Sequence, residues 1–381
     1  MKKNIIMKRS ILLFVATTII ATIITQSSFA KIWRINNHSN YDGSTLWGDN
    51  FGGTAAYPVF TQINQAVAFG IVNNGDTLHV EGSTVTYVFA TITKKLVIIG
   101  TGYFLTDNPN TSNNVLETKL ARIVFSAGSE NSQLIGVDMV SAGNSFDRDV
   151  YIDVNGITVK RCRIEGQVVL GFPLSDVYIL QNFFPNTVVS NAINTNGNSF
   201  FTPPTDLIFN NNICQKTFTW GTPLANPTTL WPILQCNNNV FDGPDNLANP
   251  NLAFSTSEFK NNILMPTNAK VNITASAGNV SYNIGTLSTQ FGTADNNLVI
   301  AGISAIFVTS ASPDGAYQVA DASAADNSGS DGTDRGAFGG LAVISRYTLS
   351  GLAAIPVVYE ITSPGATSTT LPVTIKARTI K

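Results

Sequence analysis

The sequence predicts an all-β chain built as a parallel solenoid, and three observations lead there. A short strand grammar recurs six times between residues 157 and 285. The recurrences are 20 to 30 residues apart, the period of a supersecondary unit that must stack on its neighbours to bury its face. No helical period interrupts them, and only 12% of residues are charged, as expected of a chain of short, half-buried strands.

The grammar is clearest when the segments are aligned on one position: ITVKRCRI (157–164), VYILQNFF (177–184), LIFNNNIC (207–214), LQCNNNVF (234–241), SEFKNNIL (257–264) and GNVSYNIG (278–285). The aligned column is Cys162, Asn182, Asn212, Asn239, Asn262 and Asn283, spaced by 20, 30, 27, 23 and 21 residues. Three residues earlier stand Val159, Ile179, Phe209, Cys236, Phe259 and Val280. Five earlier stand Ile157, Val177, Leu207, Leu234, Ser257 and Gly278. Strand alternation turns these two columns inward and the mostly polar positions between them outward. The Asn column is uniform, so it reads as a buried ladder with amides bonded from coil to coil at a ~4.8 Å repeat. The position before it varies freely, as Arg161, Gln181, Asn211, Asn238, Asn261 and Tyr282, and reads as exposed.

The remaining elements follow in chain order. Residues 1–30 read as a secretory signal peptide: Lys2, Lys3, Lys8 and Arg9 precede an apolar run over 11–24, and Ser28 and Ala30 offer a cleavage site. That run is shorter than the ~20 residues that cross a bilayer, so the mature chain is expected to have no transmembrane span and to be exported, to the medium or the cell surface. A retained anchor is the other reading. Removing four cationic residues leaves 18 Lys+Arg against 24 Asp+Glu, a net charge of −6 with no basic block. This argues against a nucleic-acid partner and against adhesion to anionic membrane by charge alone.

Residues 57–70, YPVFTQINQAVAFG, place Phe60, Ile63 and Val67 at helical spacing before Gly70. They predict a short helix capping the open end of the first coil. GDTLHVEG, KLVIIGTG, ARIVFSAG and SQLIGVDMV, between 75 and 140, supply earlier rungs. The total is about nine coils, a body of ~40 Å at the parallel-strand spacing. At the far end, strand-like runs over 355–362 and 371–378 flank a Ser-Pro-Gly turn. Residues 341–381 therefore read as a β-hairpin tail, with a truncated sandwich module or sorting signal as the other reading. Three cysteines, Cys162, Cys214 and Cys236, leave at least one thiol unpaired within the chain, and all three read as buried small residues.

At two places the chain resembles a known family. NNGDTLHVEGSTVTY (73–87) looks like the entry coil, and SDGTDRGAFGG (330–340) resembles the closing D-x-G-A-[FY] segment, of the right-handed parallel β-helix, pectate-lyase-like proteins exported by bacteria. The resemblance spans 31–340. It implies a right-handed single-stranded parallel β-helix, and the mature chain is expected to be a monomer. It does not choose the chemistry, because this architecture carries lyases, hydrolases and adhesins alike.

For catalysis the family's motifs are absent: there is no Asp-Asp with Gly-His-Gly, and no Arg-x-Pro-x-x-Arg. The densest charge cluster is NSFDRDVYIDVNGITVKRCRIEG (144–166). If the protein is a lyase, Lys160 or Arg163 would be the base, with Asp149 and Asp153, and Asp147 beside them, as Ca²⁺ ligands. A solvated ion-pair network explains the same residues. No cofactor is required and calcium is possible. His38 and His79 stand in unlike contexts, which argues against a histidine site.

For binding, the longer coils suggest a wall of insertions carrying Phe200, Phe201, Phe218, Trp220, Trp231 and Phe254. Aromatics beside neutral amides suit sugar stacking, with Phe201, Phe218, Trp220 and Trp231 as the binding set. Their other reading is that they seal loops onto the solenoid. The expectation is thus a glycan-binding solenoid, with a Ca-dependent polysaccharide lyase and a purely structural or adhesive shaft as alternatives.

Overall fold

A computed structural model describes residues 30–38, 53–54, 56–143, 147–171, 173–187, 191–195, 202–245, 248–366 and 369–379. From Ile32 onward these belong to one compact unit. The expected signal peptide lies outside the described residues except for Ala30, and so do Phe200 and Phe201.

The described residues are mostly β, with two short α-helices among them, α1 (Ile63–Ala68) and α2 (Ser288–Phe291). Its strands stack in parallel sheets that the chain visits in rotation. The first sheet has eight strands, from Val59–Phe60 and Ile32–Ile35 to Leu207–Asn210. The second has nine, from Lys119–Leu120 to Leu298–Val299. The third has five, from Ala90–Ile92 to Ile193–Thr195, and is followed by a four-stranded parallel sheet that includes Phe218–Thr219 and Leu252–Thr256. Every strand pair inside these sheets is parallel, so the fold is solenoid-like. Among the described residues no helix is long and apolar enough to cross a membrane.

The core is the lumen. Val159, Ile179, Phe209, Cys236 and Phe259 are fully buried, as are Ile157, Val177 and Leu207. In the last two coils the second inward column fails: Ser257 and Gly278 are exposed, having no apolar surface to bury. All three cysteines are buried free thiols, and burial pushes Cys162 and Cys214 up to about 12.

The Asn column forms a continuous ladder. Asn182 Oδ1 accepts from Cys162 N at 2.9 Å, and the Oδ1 atoms of Asn212, Asn239, Asn262 and Asn283 each accept the backbone N–H of the preceding Asn, also at 2.9 Å. Each Nδ2 donates to the next Oδ1 at 3.0 to 3.2 Å and to a carbonyl one strand back, such as Ile179 O from Asn212. Asn297, only 14 residues further on, closes the run by accepting from Asn283. Its coil is shorter than the 20 to 30 residues that separate the other ladder positions.

At the other end α1 buries Ile63, Ala66 and Val67 against the core. Its amides occupy the hydrogen bonds of a missing strand. Asn64 Nδ2 donates to Phe89 O, Asn64 Oδ1 accepts from Thr91 N, and Gln62 Oε1 accepts from Val88 N. The edge of the third sheet is thereby satisfied.

The column before the ladder corrects the sequence reading. Arg161, Gln181, Asn211 and Asn261 are buried, not exposed, and the whole column sits at φ between 55° and 58°. These residues make the left-handed corner between the first and second sheets. They are covered because the chain, after its last parallel strand Leu298–Val299, turns back along that corner. Asn261 Nδ2 donates to Ser330 Oγ, Asn211 Nδ2 to Ala337 O and Gly339 O, Gln181 Nε2 to Ile344 O, and Arg161 Nη1 to Leu352 O. The Asp334–Phe338 segment, expected to close the solenoid, lies on its outside. There Gly336, at φ 87°, approaches so closely that a Cβ would stand 2.8 Å from Ile263 Cδ1. Beyond the return segment, Pro356–Thr362 and Thr374–Thr379 pair as an antiparallel hairpin.

Candidate functional site

The outer face of the second sheet carries an apolar column, Phe183, Ile213, Val240, Ile263 and Ile284, that a solvated sheet would not bear. The return segment covers it with Ile303, Ile306, Tyr317, Ala325, Ala337 and Tyr347. The cover is incomplete at the end of the column where Arg163 replaces the apolar residue. There a cleft of about 530 Å³ opens between the sheet and residues 304–317, within the ~300–1,000 Å³ usual for ligand sites.

Its aromatic side comes from Phe104, Phe183, Phe307 and Tyr317. Phe104 meets Phe183 edge-on at 5.4 Å, and the Arg163 guanidinium lies 5.5 Å from the Phe104 ring. Phe104 holds φ at 52°, a strained backbone for a bulky residue that costs ~1–3 kcal/mol and occurs where surroundings over-determine it. Glu117 Oε1 fixes it by accepting Phe104 N–H at 2.7 Å, and Ser350 Oγ donates to its carbonyl.

The polar side is a short relay. Gln215 Nε2 donates to Tyr317 Oη at 2.7 Å, and Tyr317 Oη donates to Asp242 Oδ2 at 2.6 Å. Burial raises the Asp242 carboxyl, against the stabilising Tyr317 hydrogen bond, and burial and Asp242 raise the Tyr317 phenol. Asp242 Oδ1 has no protein partner among the described residues. Beneath the cleft, Arg163 Nη1 donates to Asp138 Oδ1 at 2.7 Å and Nη2 to Glu165 Oε1 at 3.0 Å. Burial pushes Asp138 up to about 6 despite the pull of Arg163.

The sequence-predicted sets are dispersed. Lys160 ends a strand of the first sheet, half-buried, donating to Ile344 O at 3.3 Å and drawn down to about 8 by burial and by Arg161. Arg163 starts a strand of the second sheet, around the Arg161 corner. Asp149 and Asp153 flank the third-sheet strand Val150–Ile152. Four residues of extended chain hold them ~13 Å apart, too far to share an ion. Asp149 is buried, accepts from Gln167 N and is pushed up to about 6 by burial, whereas Asp153 is exposed and Asp147 half-buried. Among the described residues no three His, Cys, Asp or Glu side chains are grouped to hold a metal.

The aromatic wall also needs correcting. Phe218, Trp220 and Phe254 are fully buried. Phe218 packs tilted against Phe209, with ring centroids 4.1 Å apart inside the lumen, and Trp220 meets half-buried Trp231 edge-on at 4.9 Å. The segments around Phe218 and Phe254 pair as strands of the four-stranded sheet, so their alternate residues point inward. Phe201 lies outside the described residues.

Phe104, Gln215, Asp242 and Tyr317 were missed. One signal was legible: extending the alignment by one outward position beyond Arg163 and Phe183 gives Glu165, Pro185, Gln215, Asp242 and Met265, four of which line the cleft. Compared with protein-family models, curated proteins and solved structures, the chain matches none.

Proposed function

We propose that this protein is an exported, right-handed, single-stranded parallel β-helix of about nine coils that binds extracellular polysaccharide as a monomer. The observation that carries the reading is the cleft over the second sheet. It is open, walled by aromatic rings, and supplied with paired donors and acceptors in Gln215, Tyr317 and Asp242. Rings for the C–H face of a sugar beside groups for its hydroxyls are the combination that wet carbohydrate sites need. The reading replaces the aromatic wall with a different set of residues on the same solenoid. The lyase alternative is less favoured by this reading, because Lys160, Arg163 and the Asp149–Asp153 pair belong to or flank strands of three different sheets.

A glycan array probed with the protein from residue 31 onward tests this. Retention of at least one polysaccharide is expected, with Phe104→Ala weakening it by about tenfold, the ~1.4 kcal/mol scale of one aromatic contact. A protein that retains no glycan would leave only the shaft reading.

A further inference from the structure

We infer that the cleft takes a neutral, hydroxyl-rich hexose unit and disfavours a uronate. The inference rests on the glycan reading above and adds the class of sugar. Recognition of a carboxylate calls for a free cationic fork. The one guanidinium lining the cleft is not free. Both Nη atoms of Arg163 are held by carboxylates, at 2.7 Å from Asp138 and 3.0 Å from Glu165. Its Nε is buried without a partner, and its flat face is turned over Phe104. The nearby Arg148 faces the second Glu165 oxygen at 3.9 Å.

What does face the open space is an acceptor. Asp242 Oδ2 is occupied by Tyr317, and Oδ1 is left for a ligand. A uronate brought there meets like charge, which costs affinity; a sugar hydroxyl donates to it. Gln215 gives one Nε2 hydrogen to Tyr317 Oη and keeps the second, a donor for a neighbouring hydroxyl oxygen. Adjacent acceptor and donor, with Phe307 and Met265 as the apolar border, fit a vicinal diol on a ring with one C–H face. Leaving Asp242 unpaired against a ligand that cannot donate is the penalty by which such sites discriminate.

The test is calorimetric titration at pH 7 with hexaoses of glucose, galactose and mannose, and with the corresponding hexaoses of glucuronic, galacturonic and mannuronic acid. At least one neutral hexaose is expected to bind at least tenfold tighter than its uronic counterpart. Asp242→Asn keeps the side-chain size and an acceptor for Tyr317, so the fold is retained. It is expected to weaken the neutral ligand about tenfold and to narrow the gap to the uronate. A uronic hexaose that binds as tightly as its neutral partner, or a gap unchanged by Asp242→Asn, overturns this inference alone. Binding of none of the six overturns the glycan reading beneath it.

Discussion

Two neighbouring columns of the repeat are both rich in asparagine, and they hold the molecule together in different ways. Asn182, Asn212, Asn239, Asn262 and Asn283 point into the core, each bonded to the equivalent residue one coil away. One residue earlier, Arg161, Gln181, Asn211 and Asn261 stand at left-handed φ and bond to the return segment. The first column is uniform because every coil offers the same partner in the same geometry. The second is varied because its partner does not repeat: each coil meets a different stretch of 330–352. Asn tolerates the left-handed corner at little cost, whereas Arg, Gln and Tyr are strained there. Those side chains are held in place by what they reach across to. Variety in a column therefore records a changing partner as readily as exposure.

Breaking the ladder should have the largest effect. Asn212→Ala removes the acceptor of Asn182 N–H and a donor to Ile179 O, both buried. Two orphaned groups at ~1–3 kcal/mol each predict a loss of about 3 kcal/mol or more. A urea midpoint that falls with unchanged slope would report it. A loss below ~1 kcal/mol would mean that the ladder contributes no more than an ordinary exposed hydrogen bond.

The ladder is made of amides, and titration does not touch it. Two buried carboxylates do titrate, one on the return segment and one on the second sheet. Asp314 on the return segment is raised by burial and held by Asn108 Nδ2 and Ser350 N–H, each at 2.7 Å. Asp138 on the second sheet is pushed up to about 6. An aspartate raised in the fold is protonated there more readily than in the unfolded chain. Its contribution is present below its ordinary pKa of ~4 and is lost as pH rises through its folded value. Between pH 4 and pH 7 stability should thus fall by about 2 kcal/mol for Asp138, and Asp138→Asn should flatten that slope. Amides of 330–352 should lose exchange protection across this range before those of 182–283 do. Simultaneous loss in both would show that the return segment and the ladder open as one unit.

Breaking the second column alone should be milder. Asn211→Ala removes two hydrogen bonds, to Ala337 O and Gly339 O, and places a Cβ residue at φ 57° without the local hydrogen bonding that lets Asn sit there. The expected cost is about 1–2 kcal/mol. Asn211→Gly separates the two causes, since it relieves the backbone and still loses the bonds. Both variants should admit protease near Leu341, already 73% exposed. A digestion rate equal to wild type would mean that the return segment is held by its apolar contacts alone.

The contrast also explains what could be read from the sequence. Ladder and lumen were legible because strand alternation and coil repetition impose the same local rule on every segment. The return segment was not, because its contacts join residues such as Tyr103 and Tyr347, whose hydroxyls meet at 2.7 Å, with no period between them. Its trace was nevertheless present in the outward run Phe183, Ile213, Val240, Ile263 and Ile284, apolar where a bare face would be polar. Phe218, Trp220 and Phe254 face inward because the length of their coils does not form a loop. The extra residues instead form further paired strands, which turn alternate aromatics inward. The cleft stayed hidden because Phe104 and Tyr317 come from outside the repeat, and only its Gln215–Asp242 side follows the register.

A side chain of the same repeat that faces solvent sets the lower bound. Lys260 stands two residues before Asn262 and pairs with Glu258 at 2.9 Å, both groups about 30% exposed. Its backbone takes part in coil-to-coil bonding: Asn237 Oδ1 accepts Lys260 N–H, and Asn238 N–H donates to Lys260 O. Lys260→Ala leaves both bonds in place and removes only the ion pair, whose Coulomb gain is offset by ordering two long side chains and screened by salt. A change within ~0.5 kcal/mol is expected, shrinking further at high salt. A loss comparable to that of Asn211→Ala would require the exposed face of the coil to share the load that the corner and the ladder carry.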